Sequence, residues 1–284
     1  MGFRKLVNIL YSMCISGESV ELNIMAKLLD NDIDPSDALY IRECAYRAAL
    51  IITGGKAYLW GMLKKCYMPS FMDTNTGFGG KRRNKERDNM LIDIIEVHKE
   101  KGVSSVILNP EEDTDRYILP EKIAEIKNKT DCNCKVAVRT GGSYAYEDTE
   151  NGSAYMYNNF TKEQEIDFVP VIEFECREYS DRELAEIIFE TLEKHNNTSC
   201  IILDFTACLE QGVFSDERIA QITAVLRLTS GKHIKNICVC PDIKKACISG
   251  ANAALIYVDD KYYYSPDKKE YSIKTAFYKA GYNV

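Results

Sequence analysis

Two glutamates and an arginine close one apolar run: Glu173, Glu175 and Arg177 follow Asp167-Phe168-Val169-Pro170-Val171-Ile172. In an extended chain, side chains two apart share a face, so Glu173 and Glu175 are expected on one side of a strand. Two like charges brought together push one carboxyl pKa upward, which suits acid/base work or ligand binding. Neutralisation of both by Arg177 and solvent is the plainer alternative. Arg139 ends a second apolar run (135–139), and Asp204 lies near the end of a third (200–205). Lys64, Lys65 and Cys66 follow a fourth run, at 57–63. They read either as an anion or cofactor site or as a solvated loop with one inert thiol.

The elements that must position these groups alternate along most of the chain. Apolar residues recur at helical spacing over 3–14, 20–30 and 36–52, with Ser36 as an expected cap after Pro35 and Gly54-Gly55 as the stop. Residues 1–53 thus form a helical lead-in, and 54–284 the main unit. Short β-rich runs lie at 57–63, 104–108, 135–139, 167–175, 200–205, 236–240 and 254–258. Helical runs at 86–101, 119–129, 181–194, 215–228 and 268–280 separate or follow them. Continuously apolar strands alternating with helices imply a parallel sheet covered on both faces. The expected class is α/β, a partial or shortened (β/α) barrel of TIM type. A doubly wound open sheet fits the same pattern. Long loops at 66–83 and 140–163 follow strand ends, the side where barrel active sites are built.

Composition narrows the partners. A net charge of −7 disfavours nucleic acid and anionic membrane surfaces as general partners. No apolar run reaches the length of a membrane span. The first residues, Met1 to Lys5, lead into an amphipathic helix, and the expected compartment is a reducing cytoplasm. There, 11 cysteines persist as thiols, as expected for an anaerobe. The pairs Cys132/Cys134 and Cys238/Cys240 lack zinc spacing and are expected in the core. His98, His195 and His233 lie in or after helices and form no catalytic pairing.

The order of several short segments resembles the biotin synthase group of radical S-adenosylmethionine (SAM) enzymes, which includes hydrogenase-maturation and methylornithine-forming enzymes. Residues 36–65 look like the group's opening helix, turn and first strand. Arg83-Asn84-Lys85-Glu86-Arg87 is similar to the segment after its cluster loop. Residues 103–113, ending Asn109-Pro110-Glu111-Glu112-Asp113, look like its second strand and acidic turn. Ala246 to Ala253, containing Gly250-Ala251-Asn252, is similar to its Ala-Gly-Ala-Asn turn. Tyr263-Tyr264-Ser265-Pro266 and a last helix ending Ala280-Gly281-Tyr282 complete the match. The resemblance is weak over 140–200, and one strand–helix unit is missing.

The resemblance implies SAM at the barrel mouth. Lys64, Cys66, Asn109, Glu111, Glu112, Asp113 and Arg177 are its expected contacts, and Glu175 looks like the counterpart of a glutamate in the SAM site. Glu111, Glu112 and Asp113 would hold the SAM amino group, or simply face a helix N-terminus. One departure governs the chemistry. The group holds a four-iron cluster on three loop cysteines, spaced three and then two residues apart. The matching positions here are Cys66, Ser70 and Asp73. Hydroxyl and carboxylate oxygens are poor ligands for such a cluster, so no resident metal centre is expected. The leading expectation is a cluster-free, radical-SAM-like pseudoenzyme in cofactor biosynthesis or maturation. It would bind SAM or a small intermediate and act beside an active homologue or maturation partner. A non-radical transferase or lyase using Glu173, Glu175, Arg139 or Lys64 is the second. An active radical enzyme with unusual ligands, such as Asp73 or a distant cysteine, is the third.

Overall fold

The computed structural model describes residues 2–63, 95–96, 99–100, 102–108, 123–124, 126–140, 167–209, 212–241, 244–258 and 268–284. Three helices come first: α1 (Phe3–Ser16), α2 (Leu22–Leu28) and α3 (Pro35–Thr53). The α3 cap is corrected by one turn of chemistry. Asp34, not Ser36, is the N-cap, and its carboxylate accepts the Ser36 backbone N–H at 2.8 Å. Pro35 has no N–H to satisfy and suits the first helical position, which moves the cap one residue before it. Gly54, at φ 63°, ends the helix in the left-handed region.

Seven strands follow: β1 (Tyr58–Leu63), β2 (Val103–Leu108), β3 (Asn133–Thr140), β4 (Asp167–Glu173), β5 (Cys200–Asp204), β6 (Asn236–Cys240) and β7 (Ala253–Val258). Each pairs in parallel with both neighbours, and β7 pairs directly with β1 from Tyr58↔Ala253 to Leu63↔Val258. The ring is therefore complete with seven strands, one fewer than in a (β/α)8 barrel. This is the shortened barrel expected from the sequence, closed rather than open. Helices α4 (Asp181–Lys194), α5 (Thr206–Leu209), α6 (Asp216–Thr229), α7 (Lys244–Cys247) and α8 (Lys268–Lys279) follow the later strands. Residues 95–96, 99–100, 123–124 and 126–130 are also helical, within the expected crossovers. None of the described helices is long and apolar enough to cross a membrane.

The strands are apolar on both faces because each face meets a different core. Trp60, Met62, Ile107, Ala137, Val169, Val171, Cys200, Ile202, Cys238, Cys240, Ala253 and Leu255 fill the barrel. The alternate residues Leu59, Ile172, Ile201, Leu203, Ile237, Val239, Ala254 and Ile256 pack outward in a second cluster with the helices. Period-two alternation thus sorts one sequence into two cores. Helices α1 and α3 pack on α6, and α2 packs on α4, so the helical lead-in lies on the outer helix layer.

Closure rests on the turn before β7. The Asn252 side chain accepts from Ile237 N–H (3.0 Å) and Arg227 Nη2 (3.1 Å), and donates to Asn236 Oδ1 (2.8 Å). Gly250 sits at φ 106°, and a Cβ there would stand 2.9 Å from the Arg227 side chain. Glycine is required for both reasons. The Gly-Ala-Asn signal in the sequence is therefore a structural device, placed at the N-terminal end of β7.

Candidate ligand site at the barrel mouth

Barrel parity decides which residues reach the C-terminal mouth. Val169 and Val171 point inward on β4, so Glu173, two further on, falls on the same face. Cys200 and Ile202 do the same on β5 and carry Asp204 inward. Glu173 and Asp204 are in register on adjacent strands, and Asp204 is in register with the buried Cys240 of β6. Neighbouring strands thus bring two half-buried carboxylates and a thiol to one rim.

The residue after each carboxylate locks its strand end. Phe174 and Phe205 are fully buried and stack at 4.5 Å between ring centres, with planes 3° apart. Phe214 meets both edge-on, and Tyr179 meets Phe174 edge-on. The Phe174 N–H donates to Asp204 O (3.0 Å), and the Phe205 N–H to Cys240 O (2.9 Å). The aromatic pair outside the barrel fixes where the acids stand inside it. Asp204 is held further. Its Oδ1 accepts the Thr206 N–H at 2.9 Å and the Thr206 hydroxyl at 2.5 Å. Oδ2 has no partner of that kind among the described residues. The Thr206 hydroxyl also lies 3.6 Å from Cys240 Sγ.

Glu175 stands apart from this rim. Strand β4 ends at Glu173, which corrects the expectation that Glu173 and Glu175 share a strand face. The chain turns because Arg177 N–H donates to Glu175 O at 2.9 Å, a three-residue turn common at strand ends. Arg177 then engages Glu175 (3.3 Å) and Glu183 (3.2 Å), and lies over the Tyr179 ring at 4.0 Å. The hydrogen bond to Glu183 is the main cause that raises the Arg177 pKa. The Tyr179 hydroxyl accepts the Glu175 N–H at 2.8 Å. Glu183 in turn closes a capping box with Ser180 at the start of α4. Arg177 therefore works here as a tie between the β4 exit and α4.

Two groups of sequence candidates meet different outcomes. Glu173 and Asp204 are brought together; Glu175 and Arg177 form their own pair beside them. Of Arg139 only the backbone position is described, opposite Val171 on β3. Lys64, Cys66, Asn109, Glu111, Glu112 and Asp113 lie outside the described residues. Asp204, Thr206 and Cys240 matter more than the sequence suggested. Their signal was the paired acid–phenylalanine strand ends, Glu173-Phe174 and Asp204-Phe205.

At the positions where the resemblance would place three cluster cysteines the sequence has Cys66, Ser70 and Asp73, all outside the described residues, whereas a cubane is held by thiolates. Among the described residues no group of three His, Cys, Asp or Glu converges as a metal site. The barrel cysteines are core residues: burial pushes the Cys238 thiol well above its ordinary value, away from the thiolate a metal needs.

No family model and no curated protein matches the sequence. Solved structures do match in shape. HydG, a maturase of the [FeFe]-hydrogenase, superposes with a TM-score of 0.63 at 13% identity, over 98% of this chain and 75% of that one. The HydG maturase of Carboxydothermus hydrogenoformans gives 0.62 at 15% identity, over 98% and 79%. Methylornithine synthase (PylB) gives 0.64 at 14% identity, over 96% of both chains. These are the two kinds of enzyme named by the sequence resemblance, and the likeness spans nearly the whole chain. The chain therefore has the barrel fold of the hydrogenase-maturation and methylornithine-forming enzymes.

Proposed function

We propose that this is a radical-SAM-like barrel protein that works without an iron–sulfur cluster. It binds SAM or a small biosynthetic intermediate at its mouth, in cofactor assembly or maturation. The observation that carries this reading is the acidic pair, Glu173 and Asp204, in register at the ends of β4 and β5. Two carboxylates on adjacent strands can both accept from one cationic ligand group placed between them. Below the pair, Trp60, Met62, Val171, Ile202 and Leu255 offer an apolar floor. A ligand with a charged head and an apolar body suits that arrangement. The likeness in fold to a maturase and a synthase supports a place in small-molecule or cofactor assembly. In this reading the protein holds and hands on its ligand in the cytoplasm, and a maturation partner or an active homologue receives it.

Equilibrium dialysis against SAM tests the reading. The wild-type chain is expected to bind, and Asp204→Asn to bind about tenfold more weakly, the loss of one charge-assisted contact. No binding by the wild type removes SAM from the reading. Equal binding by both removes the acidic pair.

A further inference from the structure

Two cysteines the proposed function does not use meet beside the mouth. Cys208 lies on α5, the short helix after β5, and is fully buried. Its thiol donates to two carbonyls at once, Phe174 O and Glu175 O, each at 3.0 Å. Cys176 is the next residue after Glu175 and is exposed. It occupies the centre of the three-residue turn closed by Arg177 N–H on Glu175 O.

The bond to Glu175 O bounds the distance from the Cys208 sulfur to the Cys176 Cα. Standard bond lengths put the Cα of a residue about 3 Å from the preceding carbonyl oxygen. The Cys208 sulfur is therefore within about 6 Å of the Cys176 Cα. A disulfide needs the two Cα atoms about 4.4–6.8 Å apart, so side-chain rotation with some movement of the exposed turn at Cys176 brings the sulfurs into bonding range. Burial, then the neighbouring Cys176, Asp204 and Glu175, push the Cys208 thiol up to about 11. Cys208 is thus a poor first nucleophile, and the exposed Cys176 is the entry point.

We propose that Cys176 and Cys208 form a redox-responsive tie between the exits of β4 and β5. The oxidant is a small disulfide, written RSSR. The Cys176 thiolate attacks one sulfur of RSSR, forming a mixed disulfide and releasing RS⁻, which takes up the Cys176 proton. Cys208 then loses its proton and attacks the Cys176 sulfur. The Cys176–Cys208 bond forms, and the second RSH leaves. Two protein thiols are oxidised and one disulfide is reduced to two thiols. The tie replaces the Cys208 bonds to Phe174 O and Glu175 O, and it links the turn after Glu173 to the helix that begins at Thr206. It is independent of what the mouth binds.

The test uses the full chain with oxidised glutathione, followed by peptide mapping without reductant. The expected product is a crosslinked pair of peptides carrying Cys176 and Cys208, reversed by dithiothreitol. In Cys176→Ser the crosslink is lost and Cys208 stays unmodified, since it is fully buried. Glutathione retained on Cys176 in the wild type with no crosslink to Cys208 would overturn the proposal. So would modification of Cys208 in the Cys176→Ser chain.

Discussion

Glu173 and Glu175 are two residues apart, yet they end in different surroundings. A single backbone bond, Arg177 N–H to Glu175 O, ends β4 and turns Glu175 toward Arg177. Alternation in the sequence could place Glu173, because the apolar parity of β4 runs through Val169 and Val171 to it. It could not place Glu175, because the turn is set by tertiary contacts with Tyr179 and Cys208. Asp204 was visible only as a strand-end acid; its Thr206 bonds depend on a four-residue helix too short to show a period. Among the titratable groups, His195 gives a test independent of the mouth. Burial, then the charge of Lys194, holds its imidazole below the ordinary 6.5. Above 6.5 the folded and unfolded forms are both neutral there. As pH falls through 6.5 the unfolded chain takes up a proton first, so stability is lost until the folded pKa is passed. Urea midpoints followed by the buried Trp60 should fall between about pH 7.5 and pH 5.5, and fall less in His195→Gln. An equal fall in both chains would show that His195 does not titrate as its burial requires.

At the scale of elements the pattern was easy to read. The run at 200–205 is β5 (Cys200–Asp204), and the run at 236–240 is β6 (Asn236–Cys240). Helix α4 (Asp181–Lys194) has the expected bounds because Ser180 and Glu183 form a capping box that fixes its start. The short helices α5 and α7 escaped notice, since four residues carry no apolar period. The most consequential polar residue of any element was also invisible. Arg227 of α6 is fully buried, and its guanidinium donates to Gly250 O (3.0 Å), Ile234 O (2.7 Å) and Asn252 Oδ1 (3.1 Å). In a sequence it reads as a surface arginine in the last turn of a helix. In the fold it joins α6 to the segments that enter β6 and β7. Replacing Arg227 with Met leaves Gly250 O and Ile234 O without this donor, while Asn252 Oδ1 keeps the Ile237 N–H, and should cost about 3 kcal/mol or more in urea unfolding. A loss under about 1 kcal/mol would mean that water satisfies them and the joint carries little.

For the whole molecule, the fold is established and the proposed absence of a cluster rests on the loop triplet of the sequence. A ring of seven strands closes directly from β7 to β1, with its interior packed by Trp60 and its neighbours. The fold is that of HydG and PylB, while the sequence has Cys66, Ser70 and Asp73 where the resemblance would place three cysteines. Fold was legible because alternating apolar runs report layers. The site was legible only where a residue sits inside a strand, and the loops that complete it lie outside that grammar. The central claim, a barrel of this fold working without a cluster, is tested most directly by iron and sulfide content after anaerobic reconstitution of the purified chain. The account predicts near zero of each per chain. About four iron and four sulfide, the cubane stoichiometry, would contradict it and make the replacement ligands the next question.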